Sequence, residues 1–418
     1  MKFLKLASVL IIGVVFIFSG LVKAIDPLGS AYKFHDYFIA FGLKWLDWLS
    51  LPLGILLCMA EFLTGFSVLS GIRQKTGILM AGILMAFFTP LTLVLALTNP
   101  VSDCGCFGDA IKLTNWQTFG KNIVLLVFTA ILFIKKKEIK QVFRAGTEWA
   151  IITVTGLVFL LFSLGNLRYL PVIDFLPYKN GIRIADQMII PEGAEPDKYS
   201  TTFIYEKNGE HREFTLENYP ADDTTWHFID QKTVLLKKGY VPPIHDLTIV
   251  DMNGTDLTNQ ILTDKGYTML MVSKRLDEAD SSHLEKGFET GRKMLENGIA
   301  FHVFTASASD YIRKFNNGLS FCTGDETTIK TILRANPGYL LIKDGLILNK
   351  WSWATLPSPE KLSEIIPGEP EKLRPGNHHF ALISILALVS LILAILVFWY
   401  FKFAHTDNQI VEPNKINN

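Results

Sequence analysis

The uneven distribution of apolar residues constrains this chain more than any other feature. A membrane crossing by a helix needs about 20 mostly apolar residues, and six stretches meet this requirement. They are, roughly, residues 4–22, 51–70, 77–97, 119–134, 148–165 and 379–401. Between the last two, residues 178–375 have the composition of ordinary globular sequence. The sequence therefore predicts a multi-pass helical membrane bundle, a globular region and a C-terminal transmembrane helix.

The first apolar run has a second interpretation. Lys2 and Lys5 precede it, and Val22-Lys23-Ala24 resembles a cleavage site, as in a secretory signal peptide. The run is long for a signal core, which favours a helix that is retained. After it, Asp26-Pro27 should end the helix, and the aromatic stretch that follows suits either an interfacial segment or a packed loop helix.

Positive charge in the short loops predicts the orientation of the bundle. The cluster "KKKEIKQVFR" at 135–144, with Arg73 and Lys75, should be cytoplasmic. Alternating crossings then place the loop with Cys104 and Cys106, and residues 167–378, on the outer side. Three lysines within residues 23–50 count against this orientation. Lys plus Arg and Asp plus Glu both number 40, so net charge indicates no nucleic-acid partner.

Changes in composition suggest five regions. The globular part begins with a small β-rich segment, whose hairpin should turn at Lys207-Asn208-Gly209, and continues with alternating strands and helices. We expect a buried strand at 267–273, a helix closing at Gly298 and a hairpin turning at Asp344-Gly345. The regions are a four-helix membrane domain (1–135), a basic loop with the fifth crossing and a linker (136–177), the β-rich segment (178–239), an α/β domain (240–366) and a final helix with a cytoplasmic tail (367–418).

The α/β region resembles a thioredoxin-like domain of the peroxiredoxin and thiol-disulfide interchange type. The resemblance covers about residues 240–365 and is carried by "DLTIVDMNGTDLTNQ" and "NPGYLLIKDG". It implies a thioredoxin-like α/β fold with a cis peptide bond before Pro337. The predicted orientation makes this domain extracytoplasmic. The family's CxxC would follow the first core strand, where this chain reads "KRLDEADSSHLEKG" without a cysteine. Cys322 is the one thiol of the region, and we interpret it either as a buried small hydrophobe or as a partner for mixed disulfides.

The membrane half resembles the DoxX family and its relative, the MauE type of methylamine-utilisation proteins. The residues that carry this resemblance are "FIFSGLVKAIDP", "MAEFLTGFSVLSG" and above all "DCGCFGD", over about residues 1–135. MauE-type proteins are implicated in the maturation of a disulfide-rich periplasmic dehydrogenase. The resemblance therefore implies thiol-redox work in the bacterial cytoplasmic (inner) membrane. In that membrane, the orientation predicted from the loop charges places residues 167–378 in the periplasm. By the same analogy, a quinone is the cofactor to consider, although no cofactor motif is evident in the sequence.

Cys104 and Cys106 are the candidate catalytic pair. Gly105 gives the backbone freedom that a disulfide between them would need, and such a tight ring would be strained and easily exchanged. Asp103 and Asp109 flank the pair and should disfavour a thiolate, with only Lys112 to oppose them. A static disulfide or structural thiols are the alternative. A metal site is not predicted, because two sulfurs alone lack a tetrahedral set of ligands.

Glu61 is a second candidate site residue, because a carboxylate near the middle of a membrane helix is costly and is a functional hypothesis by default. It could relay protons or contact a quinone, and Cys58 lies one turn earlier on the same face. The alternative is a neutral glutamic acid that packs and forms hydrogen bonds.

Three functions compete on this evidence. The first is a membrane thiol-disulfide oxidoreductase or maturation factor, whose outward-facing CGC pair acts on periplasmic client proteins or a thiol-redox partner. The second is a non-enzymatic membrane assembly or partner-binding protein with a degenerate thioredoxin-like domain. A transporter has only Glu61 and the bundle in its favour, since no pair of interrupted half-helices is evident.

Overall fold

The computed structural model describes most of the chain up to residue 373 and a few positions beyond it. The described residues are 2–101, 103–136, 143–196, 198–207, 209–216, 218, 220, 223–237, 239–315, 318–368, 370–373, 380–384, 386–387 and 390. The predicted sixth crossing over residues 379–401 and the tail lie largely outside these residues.

Five long apolar helices confirm the first five predicted crossings. Each is long and apolar enough to span a membrane, and α3 is extended at its amino end by a short 3₁₀ helix, Lys44–Leu49. The helices are α1 (Lys2–Ile25), α3 (Ser50–Ser70), α4 (Gln74–Thr98), α5 (Asn115–Lys135) and α6 (Ala145–Tyr169).

A further helix, α2 (Pro27–Ala40), lies between the first two crossings. Asp26 caps it, since its Oδ1 accepts a hydrogen bond of 2.8 Å from the Gly29 amide, and Pro27 occupies the first turn. The prediction that Asp26-Pro27 ends the first helix is confirmed. The first turn of α2 is buried, so this segment packs against the bundle at that end.

Helices α1 and α3 pack closely because small residues lie between them. A methyl group added to Gly65 of α3 would come within 2.6 Å of the Gly13 carbonyl oxygen of α1. Side chains that small let two backbones approach in lipid, where dispersion contacts replace the hydrophobic effect as the driving force. The close packing fixes the separation of α1 and α3 at Gly13 and Gly65.

The sheet domain (residues 248–373) follows the predicted order of strands and helices. Its six strands run in the order β4-β7-β6-β5-β8-β9, with β5, β6 and β7 parallel and the other pairings antiparallel. The strands are β4 (Val250–Asp251), β5 (Tyr267–Ser273), β6 (Ala300–Thr305), β7 (Ser320–Thr323), β8 (Gly338–Lys343) and β9 (Leu346–Ser352). The helices are α7 (Thr258–Thr263), α8 (Ser281–Glu296), α9 (Ser309–Ile312), α10 (Glu326–Ile332) and α11 (Pro359–Ile365).

Several specific predictions for the sheet domain are confirmed. The buried strand is β5, α8 is followed by Gly298 with a φ of 73°, and β8 and β9 form the hairpin at Asp344-Gly345. The peptide bond between Asn336 and Pro337 is cis, as the thioredoxin-like resemblance implies. The fold is therefore the α/β fold expected from the sequence.

Residues Ile182–Leu247 form a separate compact unit. It is a three-stranded antiparallel sheet in the order β2-β1-β3, made of β1 (Lys198–Lys207), β2 (Glu210–Thr215) and β3 (His227–Lys237). The predicted hairpin is confirmed, because β1 pairs with β2 from Lys207 opposite Glu210 onwards. The third strand, β3, is an addition that the sequence did not predict.

Candidate redox site at the cysteine loop

The two cysteines between α4 and α5 lie side by side. Their sulfur atoms are 3.1 Å apart, within hydrogen-bond distance of thiols, and Gly105 between them has a φ of 66°. An L-residue rarely adopts that left-handed conformation, so Gly105 makes the tight turn available. The Asp103 carboxylate accepts a 2.9 Å hydrogen bond from the Gly105 amide and holds the turn.

The two thiols differ in acidity. The hydrogen bond from Cys104 lowers the pKa of Cys106 to about 6; burial opposes this effect, and the positive charges of Lys121 and Lys23 add to it. The same hydrogen bond, together with burial and the charge of Cys106, raises the pKa of Cys104. The first proton therefore leaves Cys106, which is also the more exposed of the two side chains. A pair whose two thiols differ in pKa suits disulfide exchange, since the thiol with the lower pKa is the better leaving group.

Glu61 forms an ion pair with Lys23, at the last turn of α1. The Lys23 Nζ lies 2.8 Å from Glu61 Oε2, and the side chains are only 6% and 8% exposed. The ammonium also donates to the Cys106 carbonyl oxygen at 2.6 Å and to the Ser19 hydroxyl at 2.8 Å. The Ser19 hydroxyl lies within 2.9 Å of both Glu61 Oε2 and the Cys106 carbonyl oxygen and has one proton for the two. Glu61 is thus linked to the cysteine loop through Lys23 and Ser19.

A residue of α2 forms a hydrogen bond with the backbone carbonyl of Cys104. The Tyr37 hydroxyl donates a 2.8 Å hydrogen bond to the Cys104 carbonyl oxygen. Burial raises the pKa of Tyr37, so the hydroxyl stays protonated and keeps this bond. Contacts from α1 and α2 therefore fix the backbone on both sides of Gly105.

The flanking aspartates do not act on the thiols as the sequence suggested, because each has its own cation. Lys33 Nζ lies 2.9 Å from Asp103 Oδ2, and Arg334 Nη2 lies 2.7 Å from Asp109 Oδ2. Lys112, expected to be the one opposing charge, is 4.0 Å from Asp109 and 74% exposed. The expectation that two free carboxylates disfavour a thiolate is therefore wrong, since their charges are balanced within the site.

Arg334 connects the sheet domain to this loop. Its side chain is 5% exposed, and its Nε also lies 2.8 Å from Asp26 Oδ2. Arg334 precedes the cis peptide bond by two residues, so the loop before β8 faces the cysteine loop of the membrane bundle. The sheet domain therefore contributes a positive charge, that of Arg334, beside the cysteine loop. It contributes no cysteine to the site.

A cavity of about 680 Å³ opens within the bundle next to the pair. Cys104, Cys106, Lys23 and Glu61 belong to its lining at one end. The rest of the lining comes from α1 to α5 and is predominantly apolar and aromatic, including Phe34, Phe38, Leu57, Phe88 and Leu91. We call this space the apolar chamber.

Cys322 and Cys58 are buried thiols whose surroundings differ from those of the Cys104–Cys106 pair. Cys322 is fully buried in β7, and burial raises its pKa to about 11. Cys58 is fully buried in a cluster with Ala24, Phe62 and Phe159, and its sulfur lies 3.1 Å from the Ile55 carbonyl oxygen. Both have the environment of structural thiols, which favours the interpretation of Cys322 as a small buried hydrophobe.

Sequence reasoning missed the cations of the site. No motif in the sequence marks Lys23, Lys33, Lys121 or Arg334 as a site residue. Lys23 offered one usable signal: it follows Ser19 by four residues at the end of an apolar helix, so both side chains share a face. Arg334 gave no such signal, because its partners are more than 200 positions away along the chain.

Comparisons with known proteins match parts of the chain. Residues 1–135 match the family of methylamine utilisation protein MauE. We call them the MauE-type region. Residues 199–238 match a domain of unknown function (DUF8463), and none of the curated proteins matches the chain. Among solved structures, a candidate protein disulfide isomerase from Bacteroides thetaiotaomicron, solved in solution, is similar at 17% identity, over 32% of this chain and 91% of that one, with a TM-score of 0.25.

Proposed function

We propose that the chain is a membrane thiol-disulfide redox protein in which Cys104 and Cys106 are the catalytic pair. The observation that carries the proposal is the 3.1 Å contact between the two sulfurs, with Cys106 acidified and framed by Lys23 and Lys121. Ionised thiols of this kind are nucleophiles and good leaving groups, whereas structural thiols are kept neutral. The match of residues 1–135 to MauE supports a role in redox chemistry or protein maturation.

The exchange step is balanced without any other reactant. When the pair is oxidised, a client thiolate attacks the Cys104 sulfur, the bond between Cys104 and Cys106 breaks, and Cys106 leaves as the thiolate. A second client thiolate then attacks the client sulfur of the mixed disulfide and releases Cys104, which takes up a proton. The client gains one disulfide and the pair becomes a dithiol. Lys23 and Lys121 stabilise the negative charge that develops on Cys106.

The partners that fit this chemistry are periplasmic client proteins or another thiol-redox protein. The sheet domain cannot exchange disulfides by itself, because residues 274–287 contain no cysteine and Cys322 is buried. Its role in the proposal is to hold the cysteine loop through Arg334 and to present a surface to the client. The five apolar helices keep the pair at the edge of the bilayer, in the cytoplasmic membrane of a bacterium.

Residues 274–287, where a thioredoxin-like domain would carry its CxxC, contain no cysteine. This absence also favours a second candidate function. In this alternative the chain is a non-enzymatic assembly protein, the sheet domain binds partners, and the CGC loop is structural. The two functions differ in one property: only the redox protein changes the oxidation state of Cys104 and Cys106 while it works.

Alkylation of the pair in intact cells tests the proposal. The wild-type pair should be found in two oxidation states whose ratio shifts with an added oxidant or reductant. Cys106→Ser should trap mixed disulfides on Cys104, whereas Cys104→Ser/Cys106→Ser should trap none. Cys322→Ser is the matched control and should behave as wild type. A pair that stays in one state under every condition and traps no partner contradicts the redox function and leaves the assembly role.

A further inference from the structure

The apolar chamber places reactive sulfur inside a space that lipid-soluble molecules can occupy. Four of the helices that line it, α1, α3, α4 and α5, are long and apolar enough to cross the bilayer, and both cysteines belong to its lining. A volume of about 680 Å³ is within the range of small-molecule sites, which are mostly apolar with a few placed polar groups. A structural dithiol loop has no need of a cavity of this size beside its sulfurs.

At its polar end the chamber is lined by the ammonium group of Lys121, which can donate further hydrogen bonds. Lys121 of α5 lines the chamber, and within the described part of the chain its nearest recorded contact is the ring of Phe107, 4.6 Å from its Nζ. Lys23, by contrast, is engaged with Glu61, Ser19 and the Cys106 carbonyl oxygen. Lys121 can therefore donate hydrogen bonds to a ligand oxygen and stabilise negative charge that develops there.

We propose that the apolar chamber is a binding site for a lipid-soluble quinone, with the carbonyl-bearing ring beside Cys106 and Lys121 and the hydrocarbon tail among the apolar side chains. The proposal rests on the proposed function, because a pair that oxidises clients must pass two electrons on. Charge complementarity selects this occupant: quinone oxygens accept hydrogen bonds when oxidised and gain negative charge on reduction. An acyl chain would fill the walls of the chamber and leave Lys121 and the dithiol without a role.

The electron transfer balances with the groups present. The bond formed is the one between the sulfurs of Cys104 and Cys106, and the S–H bond of Cys104 breaks. Two electrons leave the sulfurs and reduce the quinone to the quinol. One of the two protons required comes from Cys104, and the second comes from solution through the Lys23–Glu61 pair. This assigns Glu61 the proton-relay role expected from its position in the membrane.

Binding is tested with the full-length protein in lipid nanodiscs and an azido-substituted short-chain quinone as photolabel. Light should attach the label to peptides of α3, α4 or α5, and an unlabelled short-chain quinone should compete. Leu91→Trp fills the chamber and should weaken labelling by about tenfold or more. Leu97→Trp, on the same helix but 66% exposed, is the matched control and should leave labelling unchanged. Lys121→Gln should weaken labelling, whereas Lys75→Gln at the exposed start of α4 should not.

A second measurement separates this proposal from the proposed function. The pair is oxidised chemically, and its exchange with a reduced client peptide is followed without quinone. Leu97→Trp should exchange like wild type in this assay and keep reoxidation of the dithiol by the short-chain quinone, whereas Leu91→Trp should lose that reoxidation. Labelling that is equal in Leu91→Trp and Leu97→Trp, or that a saturated fatty acid displaces as well as quinone does, overturns the quinone site and leaves the exchange function intact. Failure of the wild-type pair to exchange with any peptide overturns the exchange function instead.

Discussion

Arg334 of the sheet domain and Asp109 of the cysteine loop form an ion pair with a distance of 2.7 Å between Nη2 and Oδ2. The same guanidinium reaches Asp26 at the junction of α1 and α2, so one side chain joins three segments. Burial opposes the charge, but Asp26 and Asp109 outweigh it and raise the pKa of Arg334. The guanidinium is therefore charged at every pH at which the protein is folded.

Loss of the Arg334 side chain should destabilise the protein and loosen the loop. Arg334→Gln leaves two carboxylates without their cation, and removing one partner of a buried ion pair costs about 3–5 kcal/mol. Unfolding of the purified protein should shift accordingly, and alkylation of Cys106 at a fixed pH should change. Arg334→Lys keeps the charge and should recover part of the stability. An Arg334→Gln protein as stable as wild type would show that the contact contributes nothing.

The acidity of Cys106 predicts how alkylation depends on pH. Because the pKa of Cys106 is lowered to about 6, its rate should reach half of its plateau near that pH. Below pH 6 the rate should fall by about tenfold for each unit, since only the thiolate reacts. Cys104→Ala removes the hydrogen bond that lowers the pKa and should move the midpoint upwards. Cys322, with a pKa of about 11, serves as the internal control, measured by mass spectrometry of the same sample. A wild-type midpoint near 8.5, the value of an ordinary thiol, would refute this prediction.

The Lys23–Glu61 pair predicts a non-additive pattern of stability. Lys23→Met or Glu61→Met alone removes one partner of a buried pair and should cost about 3–5 kcal/mol. The double variant Lys23→Met/Glu61→Met replaces both charges by apolar groups, and such replacements are often close to neutral. Unfolding in mixed micelles measures all three variants. Two single losses that simply add in the double variant would show that the charges do not interact.

Replacing Gly105 by alanine should lower the stability of the protein. Alanine at a φ of 66° is strained by about 1–2 kcal/mol, and its methyl group would lie 2.8 Å from Lys33 Cγ. Gly105→Ala should therefore lower the unfolding midpoint and alter the contact between the two sulfurs. Gly120→Ala is the matched control, because Gly120 lies inside α5 with open space around its Cα; this change should stabilise the helix by up to about 1 kcal/mol. If both variants behave alike, the left-handed turn is not needed.

Much of the fold was accessible from the sequence because it depends on local patterns. Apolar runs located the five long helices, Asp26-Pro27 marked a helix boundary, and Asp344-Gly345 marked a hairpin turn. The strand β3 was not predicted, because it mixes charged and apolar residues without strict alternation and those of its side chains that the structure describes are exposed. A strand held mainly by its backbone leaves little trace in a single sequence.

The site could be predicted only in part, for a related reason. Cys104, Cys106 and Glu61 stand out in the sequence because a close cysteine pair and a carboxylate within an apolar run are unusual in themselves. Their partners Lys23, Lys33 and Arg334 are ordinary residues whose meaning comes from distance in space. The error about Asp103 and Asp109 followed directly, since charges were judged by neighbours along the chain.

The cysteine loop is anchored by residues from distant parts of the chain, with Lys33 of α2 at one end and Arg334 of the sheet domain at the other. These anchors limit how freely the sheet domain can be replaced by another domain. A chimera that joins the MauE-type region to a different sheet domain would retain the helices and both cysteines but lose the counter-charge for Asp26 and Asp109. Successful grafts should carry an arginine before the cis-proline, and a search for natural fusions of this design can use that pair of positions as its criterion.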